Sequence, residues 1–204
     1  MERNVILLRP QRRTRGIAAD HGMLAAIVLV VIEALLFVGL VSAFWLTRAE
    51  AGGAWPPSGQ PWFPPEELAI NTVALLASGA LVSWAARTWE NPEARIAPVL
   101  FAAMLLGGFF LFFQGVVWLH LIREGLSLTS SHHGRFFCLI HVLHAMHTVG
   151  ALALLGIVWL RLEPLRDDGV QSRERMWGSA FSAARIPWYF AVGSWPVLYF
   201  SLYL

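Results

Sequence analysis

Long apolar runs alternate with short polar segments along the chain, and this pattern predicts membrane-spanning helices. About 20 apolar residues cross the hydrocarbon core of a bilayer as a helix, and each run has about this length or more. We predict five spans, at residues 23–45, 68–86, 96–122, 136–160 and 186–204. The segments 46–67, 87–95, 123–135 and 161–185 between them are predicted to be extramembrane loops. The pattern therefore indicates an all-α polytopic membrane protein, a five-helix bundle in which residues 1–204 form a single membrane domain.

The distribution of arginine predicts the orientation of these spans. All 15 basic residues are arginines, and 12 of them lie in the amino-terminal arm, the second loop and the fourth loop. Cytoplasmic segments of membrane proteins are enriched in positive charge. We therefore expect the amino terminus on the cytoplasmic side of a bacterial-type plasma membrane, and the carboxyl terminus on the opposite side. The first run is too long for a signal-peptide core, so it is predicted to remain as a helix.

Composition agrees with membrane residence and argues against several other classes of protein. The chain is 57% hydrophobic and 14% charged, whereas soluble domains carry about 25% charged residues. A soluble enzyme is therefore not expected. The formal net charge of +2 does not imply nucleic acid binding. The only cysteine, Cys138, lies within an apolar run, so the chain cannot form an internal disulfide or a cysteine metal cluster.

A single acidic residue, Glu33, lies within the predicted spans, about midway along the first. A charged carboxylate at this depth costs several kcal/mol unless it is paired, hydrated or neutral, so the protonated form has the lowest cost. The structural interpretation is a neutral carboxyl group hydrogen-bonded to another helix. The functional interpretation is a proton-relay or coupling carboxylate, and the sequence leaves both open.

Three histidines, His141, His144 and His147, follow one another at three-residue steps in the fourth span and share one broad helix face. A metal or bis-histidine haem site would need further ligands at a matching depth on another helix. We therefore predict no metal site and expect the imidazoles to form a polar network with groups such as Glu33 or Gln114. Small and polar residues elsewhere in the spans are predicted to be helix-packing positions. These are Asn71, Thr72, Ser78, Gly107 and Gly108.

These residues, taken together, resemble subunit III of haem-copper oxidases, including its five-helix form and the related accessory proteins of nitric oxide reductases. The resemblance covers the whole chain and rests on several segments. They are Glu33-Ala-Leu-Leu-Phe37 with Gly39, Trp55-Pro56-Pro57, Asn71-Thr72 through Ser78, Gly107 through Gln114 with Trp118, His144-Ala-Met-His147, and Trp188, Phe190, Trp195, Tyr199 and Tyr203. Three polar residues that are usual in the family are replaced here by Val117, Tyr189 and Val192, and the pair before the paired histidines by His141 and Val142.

The resemblance implies a non-catalytic subunit that binds no cofactor itself and packs against catalytic subunit I, which holds the haems and copper, with subunit II as a further neighbour. It also implies phospholipid bound in clefts between the helices, and a role in sustaining turnover during aerobic electron transport. We expect Glu33 to bond to His147 or His144. The alternatives are an accessory subunit of a nitric oxide reductase and, from another class, a haem-binding membrane electron carrier.

Overall fold

The computed structural model describes residues 12–52, 55–61, 65–91, 94–162 and 170–203. Every regular element within these ranges is a helix. The helices are α1 (Arg12–Glu50), α2 (Pro65–Arg87), α3 (Ile96–Arg123), α4 (His132–Leu162) and α5 (Val170–Tyr203). The predicted all-α, five-helix architecture is confirmed.

Four of the helices contain stretches that are long and apolar enough to cross a membrane. These stretches are His21–Glu50, Leu68–Arg87, Ile96–Arg123 and His132–Leu162, and their mean hydropathies lie between 1.7 and 3.0. Helix α5 has 34 residues but does not belong to this group. It contains two prolines, several serines and a high share of tryptophan and tyrosine, which lower its hydropathy.

The segment 161–185 was predicted to lack a helix, and this is wrong from Val170 onward, where α5 begins. Apolar residues recur here at helical spacing, in the order Trp177, Phe181, Ala184 and Trp188. Phe181 and Ala184 are buried, and the ring of Phe181 stacks on Trp89 with 4.4 Å between centroids. The charges in this segment indicated a solvent loop, but Phe181 and Ala184 give the helix a packed apolar face. Helices α1 and α4 also extend beyond the predicted spans.

Helix α5 lies at the centre of the packing. It packs against α4, α1 and α2, while α2 also packs against α3 and α3 against α4. Helices α2, α3, α4 and α5 therefore form a closed ring, and α1 lies outside the ring against α4 and α5. The three largest fully buried side chains, Trp188, Trp195 and Tyr203, all come from α5.

At one end of the bundle, the described part of the loop between α1 and α2 is fixed by specific contacts. The ring of Trp55 lies between Phe44 and His133, with centroid distances of 5.5 and 5.2 Å. The Oε1 atom of Gln60 accepts hydrogen bonds from the hydroxyl groups of Ser130 and Ser131, at 3.1 and 3.0 Å. This loop therefore ties the end of α1 to the start of α4.

Candidate functional site

The three histidines of α4 form the centre of a polar interior in an otherwise apolar bundle. Residues His141, His144 and His147 are all buried, and their side chains meet partners on other helices. Two of them bond to α5 backbone carbonyls, which can only accept a hydrogen bond. The position of each imidazole proton can therefore be deduced from its partner.

His147 joins three helices. Its Nε2 atom lies 2.8 Å from the carbonyl oxygen of Pro187 on α5, so Nε2 carries a proton and donates it. Its Nδ1 atom contacts the carboxyl group of Glu33 on α1. The contact is satisfied by a neutral carboxylic acid donating to a neutral imidazole, or by a carboxylate accepting from an imidazolium. In both arrangements the two groups share one proton and the pair carries no net charge.

His144 is held one turn away by backbone and aromatic contacts. Its Nε2 atom donates to the carbonyl oxygen of Ala191 at 3.1 Å. The ring packs against Trp195, with 5.1 Å between centroids, and approaches the edges of Phe110 and Phe37 at 5.9 and 6.3 Å. Of the two histidines expected to bond to Glu33, the structure therefore places His147 beside the carboxyl group and directs His144 to α5.

His141 ends a chain of four side chains from four helices. Asn71 on α2 donates to Oε1 of Gln114 at 3.2 Å, and Gln114 donates to the hydroxyl oxygen of Tyr203 at 3.5 Å. The Tyr203 hydroxyl lies 2.7 Å from Nε2 of His141. Nδ1 of His141 lies 3.0 Å from the carbonyl of Phe137, so Nδ1 carries the proton and Nε2 accepts from Tyr203. The donors all run in one direction, from α2 to α4.

Two further polar side chains of α2 form hydrogen bonds with neighbouring helices. The Ser78 hydroxyl donates to the carbonyl of Ala103 on α3 at 2.8 Å. The Thr72 hydroxyl donates to the carbonyl of Leu68 at 2.9 Å and accepts from the indole of Trp195, also at 2.9 Å. One face of α2 therefore bonds to both α3 and α5.

The glycines differ in what they do. A Cβ atom placed at Gly107 would lie 2.4 Å from the Trp188 ring, so only glycine leaves room for this indole. Gly108 does not share this role, because a Cβ there would meet no atom within 4 Å. Gly79, which was not among the predicted packing positions, is also a packing glycine, because a Cβ atom there would lie 2.8 Å from Val192.

A metal centre is not supported by the donor atoms of this interior. Within the described residues, no group of three His, Cys, Asp or Glu side chains is placed to hold a metal ion. His141 and His147 each use both ring nitrogens for protein partners. The arrangement is therefore suited to joining helices, and its one shared proton lies between Glu33 and His147.

Comparisons with known proteins agree with this architecture. The family model for cytochrome c oxidase subunit III matches residues 12–204. The chain belongs to this family. It is 27% identical over 177 residues to the probable cytochrome c oxidase subunit 3 of Nocardia farcinica, covering 84% of this chain and 81% of that one. It is 32% identical over 184 residues to cytochrome c oxidase subunit 3 of Drosophila melanogaster, covering 87% and 66%. For that of Coturnix japonica the identity is 32% over 177 residues, covering 84% and 64%.

The subunit III family predicted from the residues is thereby confirmed. The chain spans about two thirds of the length of the animal relatives it matches. Family membership and the four long apolar helices together identify a multi-pass membrane protein. Two of the positions that depart from the usual family pattern lie in packed surroundings. Val117 is buried, and Val192 fills the space beside Gly79.

Sequence reasoning missed the partners that α5 supplies to the histidines. Tyr203 and Trp195 were singled out only through the family resemblance, and the carbonyls of Pro187 and Ala191 were not identified at all. Side-chain polarity gives no signal for a backbone carbonyl. Pro187, Ala191 and Trp195 are spaced by four residues and therefore lie on one face of α5. This spacing was the only feature of the sequence that indicated a shared α5 face beside the histidines.

Proposed function

We propose that this chain is the non-catalytic subunit III of a respiratory haem-copper terminal oxidase, a proton-translocating cytochrome c or quinol oxidase. In this proposal it packs against catalytic subunit I, which holds the haem and copper, with subunit II as a further neighbour. Family membership supports the assignment to an oxidoreductase complex. The chain then contributes to aerobic electron transport by supporting subunit I.

The observation that carries the non-catalytic role is the way in which the buried imidazoles are used. Both nitrogens of His141 and His147 bond to groups of the same chain. A haem ligand needs a free ring nitrogen directed at the iron. Two of the three histidines that suggest a redox centre, His141 and His147, therefore have both ring nitrogens engaged and join α4 to α5 and α1.

Helix α1 supplies a surface suited to lipid or to the partner subunit. Large apolar side chains along it are mostly exposed, including Leu35 at 69%, Val38 at 64% and Leu46 at 64%. Only 6% of its most apolar stretch is buried within the chain. Bilayer lipid, bound phospholipid and catalytic subunit I are the proposed neighbours of this surface.

The full membrane arrangement also belongs to the proposal. Residues 1–204 form one membrane domain in which α5 is the fifth span, with the amino terminus in the cytoplasm and the carboxyl terminus outside. The enrichment of arginine on one side supports this orientation. The uncharged segment from Ile186 to Tyr203, about 18 residues, supports a fifth crossing because it covers most of a bilayer core.

Purification of the tagged chain from native membranes in mild detergent tests this function. We expect a haem-bearing catalytic subunit to co-purify, to show a haem absorption spectrum and to consume oxygen. The isolated chain should show no Soret band. Haem that remains on the isolated chain would favour the electron-carrier alternative, whereas reduction of nitric oxide without oxygen consumption by the complex would favour a nitric oxide reductase accessory.

A further inference from the structure

A cavity of about 540 Å³ lies between α3 and α4, apart from the Glu33–His147 contact. Its lining is mainly apolar, with Phe110, Trp118 and Trp195 among its walls and Gln114, His141 and His144 as its polar residues. Small-molecule sites in proteins have volumes of about 300–1,000 Å³ and combine apolar walls with a few polar groups. The cavity has both properties.

The cavity borders the lipid-facing surface of the bundle. Its lining includes Val142, Met146 and Val149, whose side chains are 37%, 69% and 55% exposed. Two glycines complete this side, Gly115 on α3 and Gly150 on α4, and a Cβ atom at either would meet nothing within 4 Å. A molecule dissolved in the bilayer can therefore enter from the side, between the two helices.

Gln114 provides a reason for a ligand with a hydrogen-bond acceptor. Its side chain is 7% exposed, and its amide has two N–H donors. Among the described residues only one acceptor receives them, the Tyr203 hydroxyl at 3.5 Å, while Asn71 donates to the amide oxygen. An acyl chain in the cavity would leave the second donor facing hydrocarbon, which is unfavourable. A carbonyl oxygen would accept from it.

The depth of Gln114 restricts which molecules can present that acceptor. It lies nine residues before Arg123, the last residue of α3, and this separation corresponds to about 14 Å along the helix. Helix α3 is about 42 Å long and the hydrocarbon core is about 30 Å thick, so a centred core ends about 6 Å before Arg123 and this amide lies about 8 Å inside it. The ester groups of phospholipids lie at the membrane surface and do not reach it. The acceptor must belong to a molecule that is soluble in the bilayer core.

From these observations we propose that the α3–α4 cavity binds the ring of an isoprenoid quinone, with a ring carbonyl accepting from Gln114 and the tail extending into the bilayer. The aromatic side chains of Phe110, Trp118 and Trp195 offer faces and edges for packing against a planar ring. The proposal concerns binding only, and it does not depend on the electron donor of the complex.

Photolabelling tests the site. The complex, in nanodiscs of phosphatidylcholine, is illuminated with a short-chain ubiquinone that carries an aryl azide. We expect the label on peptides that contain residues 110–118 or 141–150, and at least tenfold less label when an excess of ubiquinone without the azide is added. Labelling of this chain only outside these peptides, or labelling of them that the competitor does not reduce, overturns the proposal.

Matched glycine variants show whether the cavity itself is responsible. Gly150→Leu places a side chain into open space at the cavity wall, so it should reduce labelling at least tenfold without a steric clash. Gly193→Leu is the control, because Gly193 also has open space around its Cβ position but does not line the cavity. It should change labelling less than twofold. Equal labelling of the wild type and Gly150→Leu contradicts the proposal.

A second probe separates the quinone from an acyl chain. Phosphatidylcholine with a photoactivatable acyl chain can label any exposed helix. If quinone occupies the cavity, no acyl-chain labelling should both fall in Gly150→Leu and remain unchanged when ubiquinone is added. That combined result would identify an acyl-chain groove and refute quinone binding.

Gln114→Leu should weaken competition by quinone about fivefold, since one hydrogen bond is lost. Because the label is read on this chain, the test is independent of whether haem subunits co-purify.

Discussion

At the scale of single residues, three histidines at identical spacing have different chemistry because of the carbonyl that each one meets. His144 and His147 carry the proton on Nε2, which faces the α5 backbone. His141 carries it on Nδ1, which faces its own helix, and its Nε2 accepts from Tyr203. Only His147 has its second nitrogen against a carboxyl group. The proton shared by that pair is therefore specific to one of the three positions.

The pair with Glu33 gives a prediction that separates hydrogen bonding from acidity. Glu33→Gln keeps an N–H donor for Nδ1 of His147, so we expect nearly unchanged stability and turnover of the complex. Glu33→Leu leaves Nδ1 without a partner and should cost about 1 kcal/mol, the usual size for interhelical hydrogen bonds in membranes. Thermal unfolding of the purified complex and oxygen consumption measure both effects.

Leu35→Val, at a mostly exposed position of α1, is the control for handling and expression of the Glu33 variants. If Glu33→Gln abolishes turnover while the complex stays intact, the carboxyl proton itself has a functional role. If Glu33→Leu is as stable as the wild type, the contact with His147 does not stabilise the bundle.

Tyr203 gives a second prediction, because its hydroxyl group connects Gln114 to His141 near the end of α5. Tyr203→Phe keeps the ring in its buried position but leaves Nε2 of His141 without a donor. We expect the free energy of unfolding to fall by about 1–2 kcal/mol. Tryptophan fluorescence during thermal unfolding in detergent can measure this, with the mostly exposed Phe200→Leu as the comparison. An unchanged midpoint for Tyr203→Phe would show that the four-residue chain contributes nothing.

At the scale of helices, α5 determines how the others are arranged. Its aromatic side chains fill the centre of the ring, and its carbonyls receive the α4 histidines. The Trp188 ring of α5 reaches the backbone of α3 at Gly107, because glycine has no side chain there. Gly108, one position later, has no such neighbour. Local sequence therefore does not distinguish a packing glycine from one beside open space.

The adjacent glycines Gly107 and Gly108 form a matched pair for testing this point. Gly107→Ala would force the Trp188 ring to move and should destabilise the protein by about 1–3 kcal/mol. Gly108→Ala meets no atom within 4 Å and should be neutral or stabilising by up to about 1 kcal/mol, because alanine favours a helix. Unfolding midpoints of the two variants under the same conditions give the answer. Equal midpoints would contradict the packing of Trp188 against α3.

At the scale of the whole molecule, the proposed orientation places the α1–α2 loop outside and the α2–α3 turn in the cytoplasm. The native Cys138 is buried, so it should react little with a membrane-impermeant maleimide. We expect Ser58→Cys to react in intact cells and Glu90→Cys to react only after permeabilisation. Reversed reactivity of these two variants would show the opposite orientation, and reaction of both in intact cells would show that α2 does not cross.

The sequence alone was sufficient for the helices whose composition matches the bilayer. Apolar length predicts α1 through α4, because a chain in lipid must satisfy its backbone hydrogen bonds within each segment. It was insufficient for the first half of α5. There the charged residues between 170 and 185 indicated a loop, whereas Phe181 and Ala184 become buried when Trp89 and the other helices pack against them. The extent of an amphipathic helix depends on its neighbours.

The polar interior shows the same division between what the sequence predicts and what helix packing decides. Local sequence placed Glu33 and the three histidines within the spans, since their depth follows from counting residues along a helix. Which histidine meets Glu33, and that Tyr203 and two α5 carbonyls complete the set, were decided by helix packing. Rotation of a helix about its axis changes every interhelical pair while leaving depth unchanged. The sequence therefore determined depth and composition, and only the tertiary structure determined the pairs.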